Sequence, residues 1–251
     1  MIIDAPRPED ISRLRQLWQE AFGDSDDFLD GFFSRGYSPA RCRCLWLQDR
    51  LAAALYWFDC TWQGKKLAYI YAVATGKAYR GRGLCTALMG NTHRHLQSLG
   101  YTGAALVPAG EKLVSLYAKL GYRPFGPMAK NTVEAAGMEV VRVLDPATFC
   151  ALRRRFLPEN GIIQEGATLA YLQTFTGFYA GEGFLACATT EGDTAYFQEY
   201  LGDPARLPGL TAALGAKKAV VYLPGEGERT AMYYPLTEET EIPGYLGLSL
   251  G

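Results

Sequence analysis

YAVATGKAYRGRGLCTALM, residues 71–89, holds the reading on which everything else depends. It begins in the apolar run Leu67–Thr75, turns through Arg80-Gly81-Arg82-Gly83, and continues into a stripe of Leu84, Ala87, Leu88, Leu96 and Leu99 that repeats at helical spacing and stops at Gly100. A strand that passes through a tight glycine-rich turn into a helix aims unpaired backbone N–H groups and the positive end of a helix dipole at one point. An anion belongs there. Bare backbone at Gly81 and Gly83 admits a diphosphate, and Arg80 and Arg82 add charge at its rim. No Gly-Lys-Ser/Thr follows, so this is not the usual nucleoside-triphosphate loop, and the glycine spacing does not match the dinucleotide fingerprint. Taken alone, the segment could also be a loop that merely turns the chain.

Upstream, Cys42–Gln48, Leu51–Trp62 and Leu67–Thr75 are three aliphatic and aromatic runs separated by short polar turns, which predicts an antiparallel meander. The third run is apolar on both faces and is expected in the middle of a sheet covered on each side. Before it, Ile11, Leu14, Leu17, Ala21 and Phe22 mark a helix stopped by Gly23, and a second helix starts at the N-cap Ser25 with Phe28, Leu29, Phe32 and Phe33 inward. The carboxylates Asp24, Asp26, Asp27 and Asp30 are expected on its solvated face, with a cation-attracting rim as the second choice. Downstream come a strand at AALVP, a helix from Glu111 to Leu120 closed by Gly121, and two strands, Tyr122–Phe125 and Met128–Ala135. The predicted order is ααβββαβαββ, complete near Ala136-Gly137.

The remainder reads as a worn copy of the first part. After a helix at Asp145–Phe156, the runs Phe184–Thr190 and Thr194–Leu201, a helix capped by Asp203 with Pro204 at its first position, and Lys218–Leu223 repeat strand, strand, helix, strand. No Arg-x-x-Gly occurs in Gly202-Asp203-Pro204-Ala205, so the copy lacks the phosphate loop. The expected division is residues 1–136 and 137–251.

Composition limits the partners. The 251 residues are 49% apolar, enough for a substantial core, and 25 Lys and Arg stand against 26 Asp and Glu, so no overall field favours nucleic acid or an anionic membrane. The N-terminus MIIDAPRPED is not a leader, and no apolar run approaches the ~20 residues that span a bilayer, so a soluble cytoplasmic protein is expected. The six cysteines form no CxxC pair and are expected reduced; His93 and His95, two apart on a helix, point to different faces, so no metal site is expected.

The stretch 71–89, followed by AALVP and SLYAKLGY, resembles the GNAT superfamily of acyl-CoA N-acyltransferases, and the element order agrees. The resemblance covers roughly residues 1–135; the extra C-terminal part and the wording VAT-x-x-x-YRGRG are most similar to the two-domain branch of enhanced-intracellular-survival type acetyltransferases. It implies an α+β, α/β/α layered fold with a central mixed, mostly antiparallel sheet, plus a smaller degenerate GNAT-like domain. It also implies an acetyl-CoA cosubstrate, no metal, and direct transfer of acetyl to a primary amine on a small molecule or peptide. The pyrophosphate signature falls on Arg80, Gly83 and Cys85, with Gly81, Arg82, Leu84 and Thr86 around it, and the pantetheine arm is assigned to backbone groups of Val73, Ala74 and Thr75. The motif Tyr-x-x-x-Gly-Phe/Tyr falls on Tyr117, Gly121 and Tyr122, which makes Tyr117 the implied proton donor to the departing thiolate; as a lone residue it could equally be a packing aromatic.

Two positions depart from the family pattern. Cys85 stands where Gly or Ala is usual, and Gly110 where an Asn often meets the cofactor arm. The dipole and the neighbouring arginines predict a lowered Cys85 pKa, against the alternative of an inert small residue. The general base is left open among Tyr69, Tyr71, Asp59 and the C-terminal carboxylate of Gly251, each of which has a structural reading too. The alternative function is an acyl-CoA-binding sensor without efficient catalysis. The second part is expected to wall the acceptor site or to form a homodimer interface.

Overall fold

Short polar turns between apolar runs set the first sheet. The computed structural model describes residues 1–227, 229–238 and 241–250. It opens with a short strand β1 (Ile2–Asp4), then α1 (Ile11–Phe22) and α2 (Asp26–Gly31), which runs on into a π-helical turn at Phe32–Gly36. Gly23 ends α1 in the left-handed region, and the Ser25 hydroxyl starts α2 by accepting the Phe28 N–H at 3.3 Å. The meander follows as β2 (Cys42–Leu47), β3 (Arg50–Trp62) and β4 (Lys65–Thr75). Its turns put Gln48-Asp49 and Gln63-Gly64 at positive φ, the backbone that matches strand twist in a two-residue hairpin. Next come α3 (Leu84–Ser98), β5 (Gly103–Leu106), α4 (Glu111–Lys119) and β6 (Arg123–Glu134).

The second half comprises β7 (Arg142–Leu144), α5 (Pro146–Phe156), β8 (Ile163–Gln164), α6 (Ala167–Leu172) and β9 (Gly177–Gly181). It continues with β10 (Phe184–Glu191), β11 (Thr194–Gly202), α7 (Leu207–Ala213), β12 (Lys218–Pro224) and β13 (Arg229–Pro235). Both halves share one sheet, in the order β1-β2-β3-β4-β5-β13-β6-β12-β11-β10-β9-β7. The sheet is mixed and mostly antiparallel. Its parallel pairs are β4 with β5 and β11 with β12, each joined through a helix.

The middle of that order is an exchange. β13 lies between β5 and β6, pairing Met232 with Leu106 on one side and with Pro124 on the other. β6 in turn pairs with β12, Val220 opposite Thr132. Each half therefore sends its last strand across to the other half. This explains a difference from the sequence reading, which splits 122–135 into two strands. β6 is one strand whose first part, 123–128, is held by β13 and whose second part, 128–134, is held by β12 on its opposite edge. Gly126, at φ 55°, marks the bend between them.

Layers close on both faces of the meander. Leu84, Leu88, Met89 and Leu96 of α3 bury one face with Leu55, Trp57 and Ile70, while Leu14, Leu17 and Trp18 of α1 and Leu29 of α2 bury the other with Tyr56 and Phe58. Burying each such side chain is worth about 1.5–3 kcal/mol. Tyr171 of α6 brings the second half onto this core: its ring stacks on Phe58 at 6.0 Å and its hydroxyl meets that of Tyr71 at 3.3 Å. A buried ion pair fixes the segment 241–250. The Arg153 guanidinium reaches both Glu199 carboxylate oxygens, at 2.6 and 2.9 Å, and also donates to the Leu246 carbonyl at 3.5 Å. Gln164 donates to the Leu248 carbonyl, and the Leu250 N–H donates to the Tyr69 hydroxyl at 3.2 Å. That chain of bonds delivers Leu250 to the centre of the molecule.

Candidate functional site

β4 and β5 part company after three residues. Their parallel pairing covers Leu67 to Tyr69 opposite Gly103 to Ala105, after which β4 continues to Thr75 with no described strand on that side. A bulge turns β4 at the same place: Ala54 faces Ala74 and Tyr56 faces Tyr71, so Ala72 and Val73 together oppose Leu55, with Ala72 at φ 48°. The bulge withdraws at least one β4 N–H from the ladder. Val73 lines the cleft that opens there, and Ala74 and Thr75 follow with their second edge, away from β3, facing no described strand.

At the end of that cleft, Gly76–Gly83 loops into α3. Arg80 folds back, its Nε donating to the Thr75 carbonyl at 3.0 Å, and the Arg82 guanidinium lies 5.7 Å from the centre of the Tyr79 ring. Gly81 and Gly83 take φ 75° and 71°, and a Cβ on either would point into open space. Among the described residues, no protein acceptor takes the N–H of Gly81, Arg82, Gly83, Leu84, Cys85 or Thr86; the first bond of the helix is Ala87 N–H to the Gly83 carbonyl at 3.0 Å. Six consecutive donors at the start of a fifteen-residue helix are left for something else. Those are the features a diphosphate requires, so the residues present fit coenzyme A.

Cys85 departs from expectation. Its thiol is not acidified; burial pushes its pKa up, and that exclusion of water outweighs the helix terminus and the arginines, whose guanidinium groups lie in solvent. The small-residue alternative describes it better. All six cysteines are free thiols. His93 is buried, bonded to the Tyr122 hydroxyl at 2.8 Å, and pushed down to about 4 chiefly by burial; His95 packs on Trp57 across the same helix. Neither lies in the cleft, and no cluster of potential metal ligands occurs among the described residues.

The splay between β4 and β5 opens into a cavity of about 470 Å³. Ile70–Val73 form one side, Leu106–Ala109 and Leu113 another, and Trp18, Phe22 and Phe28 the roof, with Leu250 below. Tyr117 of α4 reaches this cavity with no hydrogen bond from its hydroxyl among the described residues, its ring edge-on to Tyr122 at 5.6 Å. Burial first, and the nearby Cys85 second, raise its pKa above the ordinary phenol range, so it holds its proton at neutral pH.

The structure sorts the base candidates. Tyr71 lines the cavity, but burial, the largest cause, together with Tyr171 holds its phenol far above neutrality. Tyr69 also lines it and accepts from the Leu250 N–H. Asp59 lies elsewhere, paired with Arg41 at 3.3 Å and accepting from the Tyr101 hydroxyl. The C-terminal carboxylate of Gly251 lies outside the described residues. Among the described residues, the carboxylate in the cavity wall is Asp24, for which the sequence reading put a solvated helix face first and a cation-attracting rim second. It is half-buried and accepts the Trp18 indole N–H at 2.7 Å. Its place two residues before α2 and six after Trp18 was the available signal, since that tether turns it inward.

Comparison with known proteins agrees with this geometry. Residues 3–125 match the model described as acetyltransferase (GNAT) domain. No curated protein matches the chain. Among solved structures, a GCN5-related N-acetyltransferase from Kribbella flavida superposes with a TM-score of 0.70 at 18% identity, over 93% of this chain and 70% of that one. Eis1 from Mycobacterium abscessus gives 0.63 at 12% identity, over 88% and 65%. A tandem GNAT protein from the clavulanic acid biosynthesis pathway gives 0.58 at 10% identity, over 95% and 99%. These similarities extend the fold to both halves of the chain.

Proposed function

We propose, on the premise that residues 3–125 make this chain a GNAT-type acetyltransferase, that it transfers acetyl from acetyl-CoA directly to a primary amine held in the cavity between β4 and β5. The observation that carries the reading is the run of six unpaired N–H groups from Gly81 to Thr86, beside the Val73–Thr75 stretch of β4 that has no described strand on its β5 side. We assign the diphosphate to the first and the pantetheine arm to the second. No described helix is long and apolar enough to cross a membrane, which suits a soluble, cytoplasmic enzyme.

When bound, acetyl-CoA supplies an activated acetyl group: the amine nitrogen bonds to its carbonyl carbon, the C–S bond breaks, and CoA leaves as the thiol. A backbone N–H at the bulge of Val73 and Ala74 stabilises negative charge as it develops on the carbonyl oxygen. Tyr117, kept protonated by burial, gives its proton to the departing sulfur. The proton that the ammonium sheds has Asp24 as its carboxylate destination among the described residues of the cavity, directly or through water. Residues 1–136 carry the acetyl-CoA contacts in this reading, and 137–251 complete the acceptor wall through Leu250.

Calorimetry with Gly83→Glu tests the assignment. A Cβ and a carboxylate there enter the diphosphate space, so acetyl-CoA affinity is expected to fall roughly 10²-fold or more in a protein that keeps its circular dichroism. Unchanged affinity in the folded variant removes the phosphate site.

A further inference from the structure

Among the described residues around the 470 Å³ acceptor cavity there is one carboxylate, Asp24, and the rest are aliphatic, aromatic or small. Of the neighbouring carboxylates, Asp26 and Asp30 are matched by Arg15, at 3.2 Å and 2.7 Å. Asp24 has no basic partner among the described residues, and its one protein bond is from the Trp18 indole N–H. A half-buried carboxylate beside Trp18, Phe22 and Phe28 offers an ammonium both a counter-charge and aromatic faces.

The apolar surface does not end there. Phe28 and Leu250 also line a second cavity of about 280 Å³, which opens over β11 and β12 and is walled by Phe175, Tyr196, Phe197 and Tyr222. Among the described residues, no charged side chain lines it. A second ammonium entering that space would give up water with no described carboxylate to meet it, which disfavours it. An alkyl or aryl chain would gain with every methylene it buries.

From these two cavities, and resting on the acetyl-transfer reading above, we infer that the acceptor is a monoamine on an elongated apolar body, its ammonium held by Asp24 and its tail crossing Phe28 and Leu250. Polyamines, aminoglycosides and lysine-like zwitterions are the classes this excludes.

The test uses the full chain and two measurements. Calorimetry without acetyl-CoA compares n-octylamine and 2-phenylethylamine with spermidine; CoA-thiol release then compares them as acceptors. The two monoamines are expected to bind at least 10-fold more tightly than spermidine and to give at least a 10-fold higher kcat/KM. Asp24→Asn, which keeps an acceptor for the Trp18 N–H, is expected to weaken octylamine binding at least 10-fold. Phe28→Trp, which narrows the passage, is expected to raise KM for octylamine but not for propylamine. Spermidine binding as tightly as octylamine, or octylamine affinity indifferent to Asp24→Asn, overturns the inference whatever acetyl-CoA does. Failure of acetyl-CoA itself to bind is a separate result and strikes the reading beneath it.

Discussion

β4–α3–β5 and β11–α7–β12 have the same connectivity and opposite chemistry. Each is a strand, a helix and a parallel strand, each is preceded by an antiparallel partner, and each pairing carries a bulge, at Ala54/Tyr56 in one and Cys187/Ala188 in the other. The difference is at the helix entrance. In the first, eight residues with two left-handed glycines lead into a fifteen-residue helix whose first donors are unpaired. In the second, Asp203 closes the turn itself: its carboxylate accepts the Ala205 N–H at 2.9 Å, its carbonyl accepts from Arg206, and the helix that follows has seven residues. An N-cap satisfies the same donors that a phosphate would, and a carboxylate there repels one. The two copies of one unit thus differ in what their turns leave unbonded, six donors in the first and a carboxylate-capped turn in the second.

The strongest way to break the comparison is to separate the halves. A chain ending at residue 136 lacks β13, so β5 and the first part of β6 lose their shared neighbour along with buried Ala231, Met232 and Tyr233. It is expected to show no cooperative thermal transition, whereas a truncation that melts cooperatively and binds acetyl-CoA would make the exchange dispensable.

A smaller break lies within the second half. Arg153→Met strands the Glu199 carboxylate, 3% exposed, and removes a bond to Leu246. Urea denaturation is expected to register a loss of about 3–5 kcal/mol, with the paired change Arg153→Met, Glu199→Met recovering part of it. In the first half, Tyr117→Phe keeps the ring packed on Tyr122 and removes the hydroxyl proposed as proton donor. Turnover should drop about 10²-fold with acetyl-CoA affinity little changed; an unaltered kcat, with chemistry rate-limiting, returns Tyr117 to packing alone.

The smallest effect sharpens the contrast by pH, because both histidines of the chain belong to α3. His93 titrates near 4 when folded and near ~6.5 when unfolded, so the unfolded state takes up the proton first. Stability contributed by its neutral form is present above ~6.5 and declines as pH falls toward 4. Comparing wild type with His93→Gln by urea titration at pH 7 and pH 4.5 should show wild type losing about a kcal/mol or two more; parallel losses leave His93 without a part in acid sensitivity.

Much of this was written locally. The meander, α3 with its loop and α4 follow from alternation, glycine stops and capping residues, because neighbours in sequence determine them. Nothing local announces that β13 leaves its own half, since the runs AMYYPL and AALVP are equally suited to many partners. β1 was missed because three residues give no period, and β6 was split because Gly126-Pro127 reads as a turn. Asp24 was misjudged for the same reason: its charge suggested solvent, and only Trp18 folding across it turns it inward. For Cys85 the sequence left two readings, and burial, which raises its pKa, favours the small inert residue over the acidified thiol.

The exchange of β6 and β13 also sets an order in time. Gly103–Leu106 leaves the ribosome roughly 120 residues before Arg229–Pro235, and pairing strands so far apart is slow because a long loop must close first. During that interval the edge of β5 is open to any strand that passes, including that of a neighbouring nascent chain. The proposed anion site at Gly81–Thr86 is thus mounted on a sheet that is finished last.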